Sequence, residues 1–123
     1  MLKKEKIIII AGEFDPLDAE EIKILQKCKK KCDWLVVGVH SDWFMSWSHG
    51  GFLQNQQTRK EIVTGLRSVD EVFSFDDTDG TVCHLLKLTK SIYPGANIIY
   101  VSSEDMKDMP ETKIKGIRFE TVK

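Results

Sequence analysis

The sequence predicts a protein of the α/β class, with a parallel sheet of about five strands and helices on both faces. Short runs of β-branched and other apolar residues, such as Lys6 to Ala11 and Trp34 to Val39, alternate with segments of helical spacing. That alternation is typical of βαβ units with right-handed crossovers. Because the chain has 123 residues and no linker or internal repeat, we expect residues 1–123 to form one domain.

Local patterns place each element in turn. The run that ends at Gly12 is apolar throughout, which indicates a strand buried on both faces. Helices are predicted where apolar residues share one face, as Ile22, Leu25 and Cys28 do. The predicted strands are Lys6–Ala11, Trp34–Val39, Glu71–Phe75, Asn97–Ser102 and, at an edge, Ile117–Val122; the predicted helices are Asp18–Lys31, Gln57–Arg67 and Val82–Ile92. In such a Rossmann-like sheet, ligands bind beyond the carboxyl ends of the strands.

Composition narrows the classes of partner. With 18 Lys+Arg against 19 Asp+Glu and a net charge of −1, the chain lacks the basic surplus that nucleic acids and anionic membranes attract. The apolar run Ile7 to Ala11 is too short for a membrane span or a signal peptide. Three cysteines form no paired framework, so we expect a cytoplasmic protein without disulfides.

The segment after the first strand carries a resemblance to a known family. Residues 12–21 read GEFDPLDAEE, and the next strand ends in VGVHSD at residues 37–42. Arg59 opens a helix that is followed by VDEV at residues 69–72. These three segments resemble, in order, motifs of the nucleotidylyltransferase superfamily, which includes glycerol-3-phosphate cytidylyltransferase and heptose-phosphate adenylyltransferases. The first motif of that family reads Gly-x-Phe-Asp-x-x-His-x-Gly-His.

The resemblance implies a fold and a chemistry. Members of the family attack the α-phosphorus of a nucleoside triphosphate with a substrate phosphate and release pyrophosphate, and Mg²⁺ would serve as cofactor in an active enzyme. By resemblance, the nucleotide-binding positions are Gly12, Phe14, Asp15 and Arg59. The family's two histidines stabilise phosphate charge at a helix N-terminus, where backbone N–H groups also favour an anion.

This chain departs from the family where the phosphate is held. The positions of the two histidines and the glycine are Asp18, Glu21 and Glu20, so no catalytic residue of that motif is intact. No Lys or Arg occurs from Ser41 to Thr58, and no segment before Lys123 resembles the family's late phosphate-binding motif. We therefore expect a domain that has lost catalysis and serves as a binding or assembly module. The alternative is an active enzyme that transfers CMP or AMP to a small phosphorylated polyol or sugar.

The acidic cluster itself has two interpretations. Asp18 followed by Glu21 three residues later matches a helix capping box, and negative charge suits a helix N-terminus. Alternatively, Asp15, Asp18 and Glu21 hold a divalent metal ion, because hard cations prefer clustered carboxylates. Capping is the favoured interpretation, and no cofactor is required by it.

The segment from Asp42 to Phe52 is predicted to be a loop with an unusual number of large apolar residues. They are Trp43, Phe44, Met45, Trp47 and Phe52. If exposed, they form the kind of patch that marks an interface with another chain, either a second copy in a homodimer or a different protein. A nucleotide is a further possible partner of the domain. The alternatives are that they fill the ancestral nucleotide crevice, or that they stack on nucleic-acid bases without nearby cations to hold the phosphates.

Overall fold

A computed structural model describes residues 5–122 of the chain. This part of the sequence forms five strands separated by four α-helices, two of them between the second and third strands, and by a short 3-10 helix before the last strand. The strands are β1 (Lys6–Gly12), β2 (Trp34–Val39), β3 (Glu71–Ser74), β4 (Asn97–Ser102) and β5 (Ile117–Thr121); the helices are α1 (Ala19–Lys29), α2 (Asp42–His49), α3 (Gln56–Thr64), α4 (Cys83–Ile92) and the 3-10 helix Pro110–Lys113.

The strands form one parallel sheet in the order β3-β2-β1-β4-β5. β1 lies at the centre, where Ile9 is paired with Val36 of β2 on one side and with Tyr100 of β4 on the other. The chain runs outward through β2 and β3, then crosses to β4 and continues to β5. The strand order therefore reverses between β1 and β4, and a crevice is expected beyond their carboxyl ends.

An apolar layer covers each face of the sheet, and β1 contributes to both because its successive side chains point to opposite faces. Ile7 and Ile9 pack on the face covered by α4, whereas Ile8 and Ile10 face the layer that contains Leu25 of α1. Each fully buried aliphatic side chain of this kind contributes about 1.5–3 kcal/mol to folding. A strand with apolar residues at every position thus fits the central place in the sheet.

Gly38 permits the close approach of α4 to β2. A Cβ atom at this position would lie 2.4 Å from Cδ2 of Leu85, which is fully buried on α4. Two non-bonded carbon atoms cannot lie so close together in a packed protein interior. The glycine is thus a packing residue between strand and helix.

The predicted fold class is confirmed, and the predicted strands match the observed ones to within a residue at either end. One prediction is wrong: the Asp42–Phe52 segment is not a loop, because residues Asp42–His49 form α2. Ser41 caps this helix by accepting a hydrogen bond from the backbone N–H of Phe44, and Gly50 ends it in the left-handed conformation. Within residues 5–122, no helix has the length and apolar character needed to cross a membrane.

Candidate functional site

A cavity of about 500 Å³ opens at the carboxyl ends of β1 and β4. Its position is the point where the strand order reverses, which is where open parallel sheets bind their ligands. Its charged and polar lining includes one imidazole and four carboxylates: His40, Glu13, Glu21, Glu104 and Glu111. Its apolar wall includes Ile10, Phe14, Phe44, Tyr100, Val101 and Met106.

The turn after β1 is shaped by Gly12 and Phe14. A Cβ atom on Gly12 would lie 2.5 Å from Cζ of Phe14, so only glycine leaves room for that ring. Phe14 has a φ of 52°, in the left-handed region that side chains other than glycine rarely adopt. Its ring is 4% exposed and packs in the same apolar cluster as Leu25. Burial of the ring compensates for the cost of this backbone conformation.

The carboxylate of Asp15 is used to connect two loops. It accepts hydrogen bonds from the backbone N–H groups of Leu53 and Gln54, at 2.8 and 2.7 Å. The turn after β1 is therefore fastened to the segment between α2 and α3. In this structure Asp15 has a structural role, and its predicted contact with a nucleotide stays a prediction.

Asp18 and Glu21 form the capping box that the sequence predicts. The Asp18 carboxylate accepts from the Glu21 backbone N–H at 2.8 Å, and the Glu21 carboxylate accepts from the Asp18 N–H at 3.0 Å. Glu20 points to solvent and lies 3.6 Å from Lys23 in an exposed ion pair. The acidic residues at the family's two histidine positions thus accept hydrogen bonds from backbone N–H groups at the start of α1.

Glu21 also lines the cavity, and its surroundings disfavour its charge. Burial raises the pKa of Glu21, the hydrogen bond from the Asp18 N–H opposes this shift, and the carboxylates of Asp18 and Glu13 raise it further. Negative charge is therefore already crowded where a triphosphate would approach α1.

The predicted metal site at Asp15, Asp18 and Glu21 is not assembled. Within residues 5–122, no group of three His, Cys, Asp or Glu side chains is arranged to hold a metal ion. The physical reason is that these carboxylates already accept other hydrogen bonds. Asp15 accepts one from the backbone N–H of Leu53, and Asp18 and Glu21 each accept one from the other's backbone N–H at the start of α1.

Arg59 is fully buried and does not line the cavity. Its guanidinium donates to the backbone carbonyl oxygens of Gln54, Glu13 and His40, at 2.8, 2.9 and 2.9 Å. A fourth hydrogen bond, of 2.8 Å, reaches the carboxylate of Asp42. These partners lie in loops and at the start of α2, all at the carboxyl edge of the sheet, so the side chain holds this edge together.

His40 and Asp77 form a buried pair that no local sequence pattern indicates. Asp77 has no exposed surface, and its carboxylate accepts from His40 Nδ1 at 2.9 Å and from the N–H and hydroxyl of Ser41. Burial lowers the pKa of His40 below its ordinary value of 6.5, and the hydrogen bond and charge of Asp77 oppose this shift. A neutral imidazole that donates from Nδ1 retains only an acceptor nitrogen for the cavity.

The large apolar residues of the Asp42–Phe52 segment divide into two groups. Trp43, Trp47 and Phe52 are exposed, by 48%, 64% and 42%. Phe44 lies against the cavity and stacks on His40 with 3.9 Å between ring centroids, and Met45 is buried. The prediction that all five form one exposed interface is therefore wrong for Met45, because a helix turns part of its residues inward.

Glu111 is another buried residue of the cavity lining that no local sequence pattern indicates. This residue is 3% exposed and lies on the short 3-10 helix Pro110–Lys113. A glutamate after a proline in a polar segment gives no local signal of burial. Only the packing of this segment against α4 brings the carboxylate to the cavity.

The fold and the site together define a class of protein: a parallel α/β domain with a ligand cavity between its first and fourth strands. A family model described as cytidylyltransferase-like matches residues 9–121. The chain therefore belongs to the cytidylyltransferase-like family, as the resemblance of its motifs implies.

The chain spans only a small part of the length of the curated relatives that it matches. The bifunctional protein HldE of Wolinella succinogenes is 36% identical over 74 residues, which cover 58% of this chain and 16% of HldE. The ethanolamine-phosphate cytidylyltransferase of Arabidopsis thaliana is 36% identical over 69 residues, which cover 54% of this chain and 16% of that enzyme. The matched region thus spans about a sixth of either relative.

Solved structures share the fold. The lipopolysaccharide core biosynthesis protein of Thermoplasma volcanium superposes with a TM-score of 0.71 at 20% identity, over 95% of both chains. The NadR protein, solved in complex with NR, gives a TM-score of 0.65 at 16% identity, over 98% of this chain and 37% of that one. At such identities the likeness concerns the fold alone.

Proposed function

We propose that this cytidylyltransferase-like domain has lost nucleotidyl transfer and works as a binding and assembly module. The observation that carries the proposal is the charge of the cavity. Four carboxylates line it, and among the lining residues of the described chain there is no Lys or Arg. Nucleotidyl transfer requires the opposite arrangement, because positive groups must stabilise the triphosphate and its transition state.

The size of the electrostatic effect favours loss of the activity. Two like charges 4 Å apart repel by about 4 kcal/mol at an effective dielectric constant of about 20. A triphosphate in the cavity would face several such contacts, with Glu13 and Glu21 near α1 and Glu104 after β4. The helix dipole of α1, worth at most about 2 kcal/mol, does not offset them.

Neither Arg59 nor His40 compensates for this negative charge. Arg59 is fully buried, and its guanidinium donates four hydrogen bonds to groups of this chain. His40 has its pKa lowered by burial, so near neutral pH it offers the cavity no positive charge. Both observations support a site that does not bind polyanions.

The direct experiment measures pyrophosphate release and thermal unfolding of the purified chain with CTP and ATP, each with and without Mg²⁺. We expect no pyrophosphate and no rise in the unfolding midpoint. A ligand at a hundred times its dissociation constant would add about 2.7 kcal/mol of stability, which is readily detected. Pyrophosphate release above a blank without protein, with any phosphorylated polyol or sugar as acceptor, would overturn the proposal.

An active nucleotidylyltransferase is the second candidate, and family membership favours it. The cavity lies where open parallel sheets bind their ligands, and the chain has Gly12, Phe14 and Asp15 at positions that resemble the family's first motif. In that case the enzyme would transfer CMP or AMP to a small phosphorylated polyol or sugar, with Mg²⁺ and a partner chain supplying positive charge. The same pyrophosphate assay decides between the two candidates.

The assembly role is assigned to the exposed aromatic face of α2, and the proposed partner is a second copy of the chain. Trp43 and Trp47 stack with 5.8 Å between centroids and planes 6° apart, which presents a flat apolar surface. Phe52 and Leu53, which follow this helix in the sequence, are also exposed, Leu53 by 81%. Contiguous aromatic surface of this kind marks protein interfaces, and self-association by a two-fold axis is the commonest arrangement.

A further inference from the structure

Glu111 presents a buried carboxylate oxygen without a partner. The residue lines the cavity and is 97% buried, since its exposed fraction is 3%. Within residues 5–122, no hydrogen-bond donor reaches its Oε1 atom. Buried polar atoms are nearly always hydrogen-bonded, and leaving a charged one without a partner is costly.

A structural role accounts for only half of this carboxylate. Glu111 Oε2 accepts from the backbone N–H of Val82 at 3.0 Å. Val82 precedes α4 and has no side chain able to cap the helix, so Glu111 supplies the cap and its charge suits the helix dipole. Capping explains why a glutamate is buried here, but it leaves the buried Oε1 without a hydrogen bond within the described chain.

The surroundings of Glu111 make the cavity attractive to a cation. Glu104 lines the same cavity and is exposed. Tyr100 lines the cavity with these two residues, and burial together with the negative charges of Glu111 and Glu104 raises its pKa. The neutral imidazole of His40 adds an acceptor rather than a positive charge.

The remainder of the lining is apolar. Phe14, Phe44, Val101 and Met106 contribute aromatic and aliphatic surface to the same cavity. Its volume of about 500 Å³ is in the range of sites that take small organic ligands. Aromatic faces also attract cations through their quadrupole.

We propose that this cavity binds a small organic cation with N–H donors, a primary ammonium or a guanidinium on an apolar body, and that Glu111 Oε1 accepts one of its hydrogen bonds. A bare metal ion fits less well, because no group of three ligating side chains is present within residues 5–122. The inference deepens the proposed function and rests on it, since a cavity that binds this cation is not one that holds a triphosphate.

The test uses isothermal titration calorimetry on the purified chain with four probes that share one body. They are phenethylamine, its N,N,N-trimethyl derivative, phenethyl alcohol and hydrocinnamate. We expect phenethylamine to bind at millimolar concentration or tighter. The trimethyl derivative lacks N–H donors and is expected to bind more weakly, as are the neutral alcohol and the anionic acid.

Glu111→Gln is the decisive variant. Its amide oxygen can still accept from the Val82 N–H, while the amide NH₂ replaces the free carboxylate oxygen. We expect phenethylamine affinity to fall by about tenfold or more, which corresponds to about 1.4 kcal/mol. Glu20→Gln is the matched control, because Glu20 lies outside the cavity lining, and its affinity should equal that of the wild type. Should Glu111→Gln fold poorly, the exposed Glu104→Gln is expected to weaken binding by a smaller factor.

Several outcomes would overturn the inference. They are absence of phenethylamine binding at millimolar concentration, equal binding by the alcohol or the trimethyl derivative, and equal affinity in the Glu111→Gln and Glu20→Gln variants. If CTP and ATP remain inert as well, only the cation inference fails. If pyrophosphate is released from either triphosphate, the proposed function fails with it.

Discussion

Nη2 of Arg59 lies 2.8 Å from Oδ1 of Asp42, and the arginine side chain has no surface exposed to solvent. This pair joins the start of α2 to α3. Asp42 also accepts from the backbone N–H of Gln56, so one carboxylate holds both helices. The arginine that the family resemblance assigns to nucleotide binding is thus part of the scaffold of the carboxyl edge.

Replacing Arg59 should therefore reduce stability. In Arg59→Met, the carbonyl oxygens of Gln54, Glu13 and His40 lose their donor, and Asp42 loses its ion pair. We expect the free energy of unfolding to fall by about 3–5 kcal/mol, measured by urea denaturation. Arg67→Met, at an exposed position, is the control and should change it by less than about 0.5 kcal/mol. An Arg59→Met protein as stable as the control would contradict this role.

Stability should depend on pH through His40. Its folded-state pKa lies below 6.5, so the unfolded chain takes up the proton first as the pH falls. The free energy of unfolding should then decrease from about pH 6.5 downward, through the folded-state pKa. His40→Asn retains a donor for Asp77 but does not titrate, and it should lose this part of the decrease. Parallel stability curves for the two proteins, measured by thermal unfolding across this range, would exclude the assignment.

The capping box predicts a difference between two substitutions at Asp18. Asp18→Ala removes the acceptor of the Glu21 N–H. We expect it to lower the free energy of unfolding by about 1 kcal/mol, within the usual range of about 0.5–2 kcal/mol. Asp18→Asn retains an oxygen acceptor, so its loss of unfolding free energy should be only a few tenths of the loss in Asp18→Ala. Chemical denaturation of both variants measures the difference, and equal losses would mean that charge, not capping, is what the position supplies.

Restoring the family motif should not restore nucleotide binding. The triple variant Asp18→His, Glu20→Gly and Glu21→His removes three negative charges, yet Glu13, Glu104 and Glu111 remain in the cavity. We expect no CTP-dependent rise in the unfolding midpoint, together with a loss of about 2 kcal/mol from the missing cap and the helical glycine. Binding of CTP by the triple variant would show that the three acidic residues alone prevent nucleotide binding in the wild type.

The exposed face of α2 should control self-association. We expect light scattering to give twice the mass of one chain for the wild type, and Trp47→Ser to shift the population to single chains, because buried tryptophans dominate interface energies. Ile92→Ser is the matched control, since Ile92 is also exposed but lies on α4. A wild-type protein that stays a single chain at high concentration, or equal effects of the two variants, would refute the second copy as partner.

The sequence by itself determined the fold class, the five strands, three of the four α-helices and the family. These features depend on local periodicity and on short motifs, such as the apolar run of β1 and the Asp18–Glu21 capping box, which are complete within a few residues. The sequence does not predict the helix Asp42–His49, because its many aromatic residues are typical of a loop that forms an interface. Ser41 and Gly50 indicate a helix only when they are recognised as its caps.

Only the tertiary structure decided which charges face the cavity. Arg59 was placed inside the scaffold, and Glu111, from a different part of the chain, was brought to the lining. The physical reason is that burial and hydrogen-bond partners arise between residues far apart in sequence: Glu111 meets Val82, and Arg59 meets Glu13. No local pattern encodes such pairings, so the electrostatic character of the cavity could not be derived from the sequence alone.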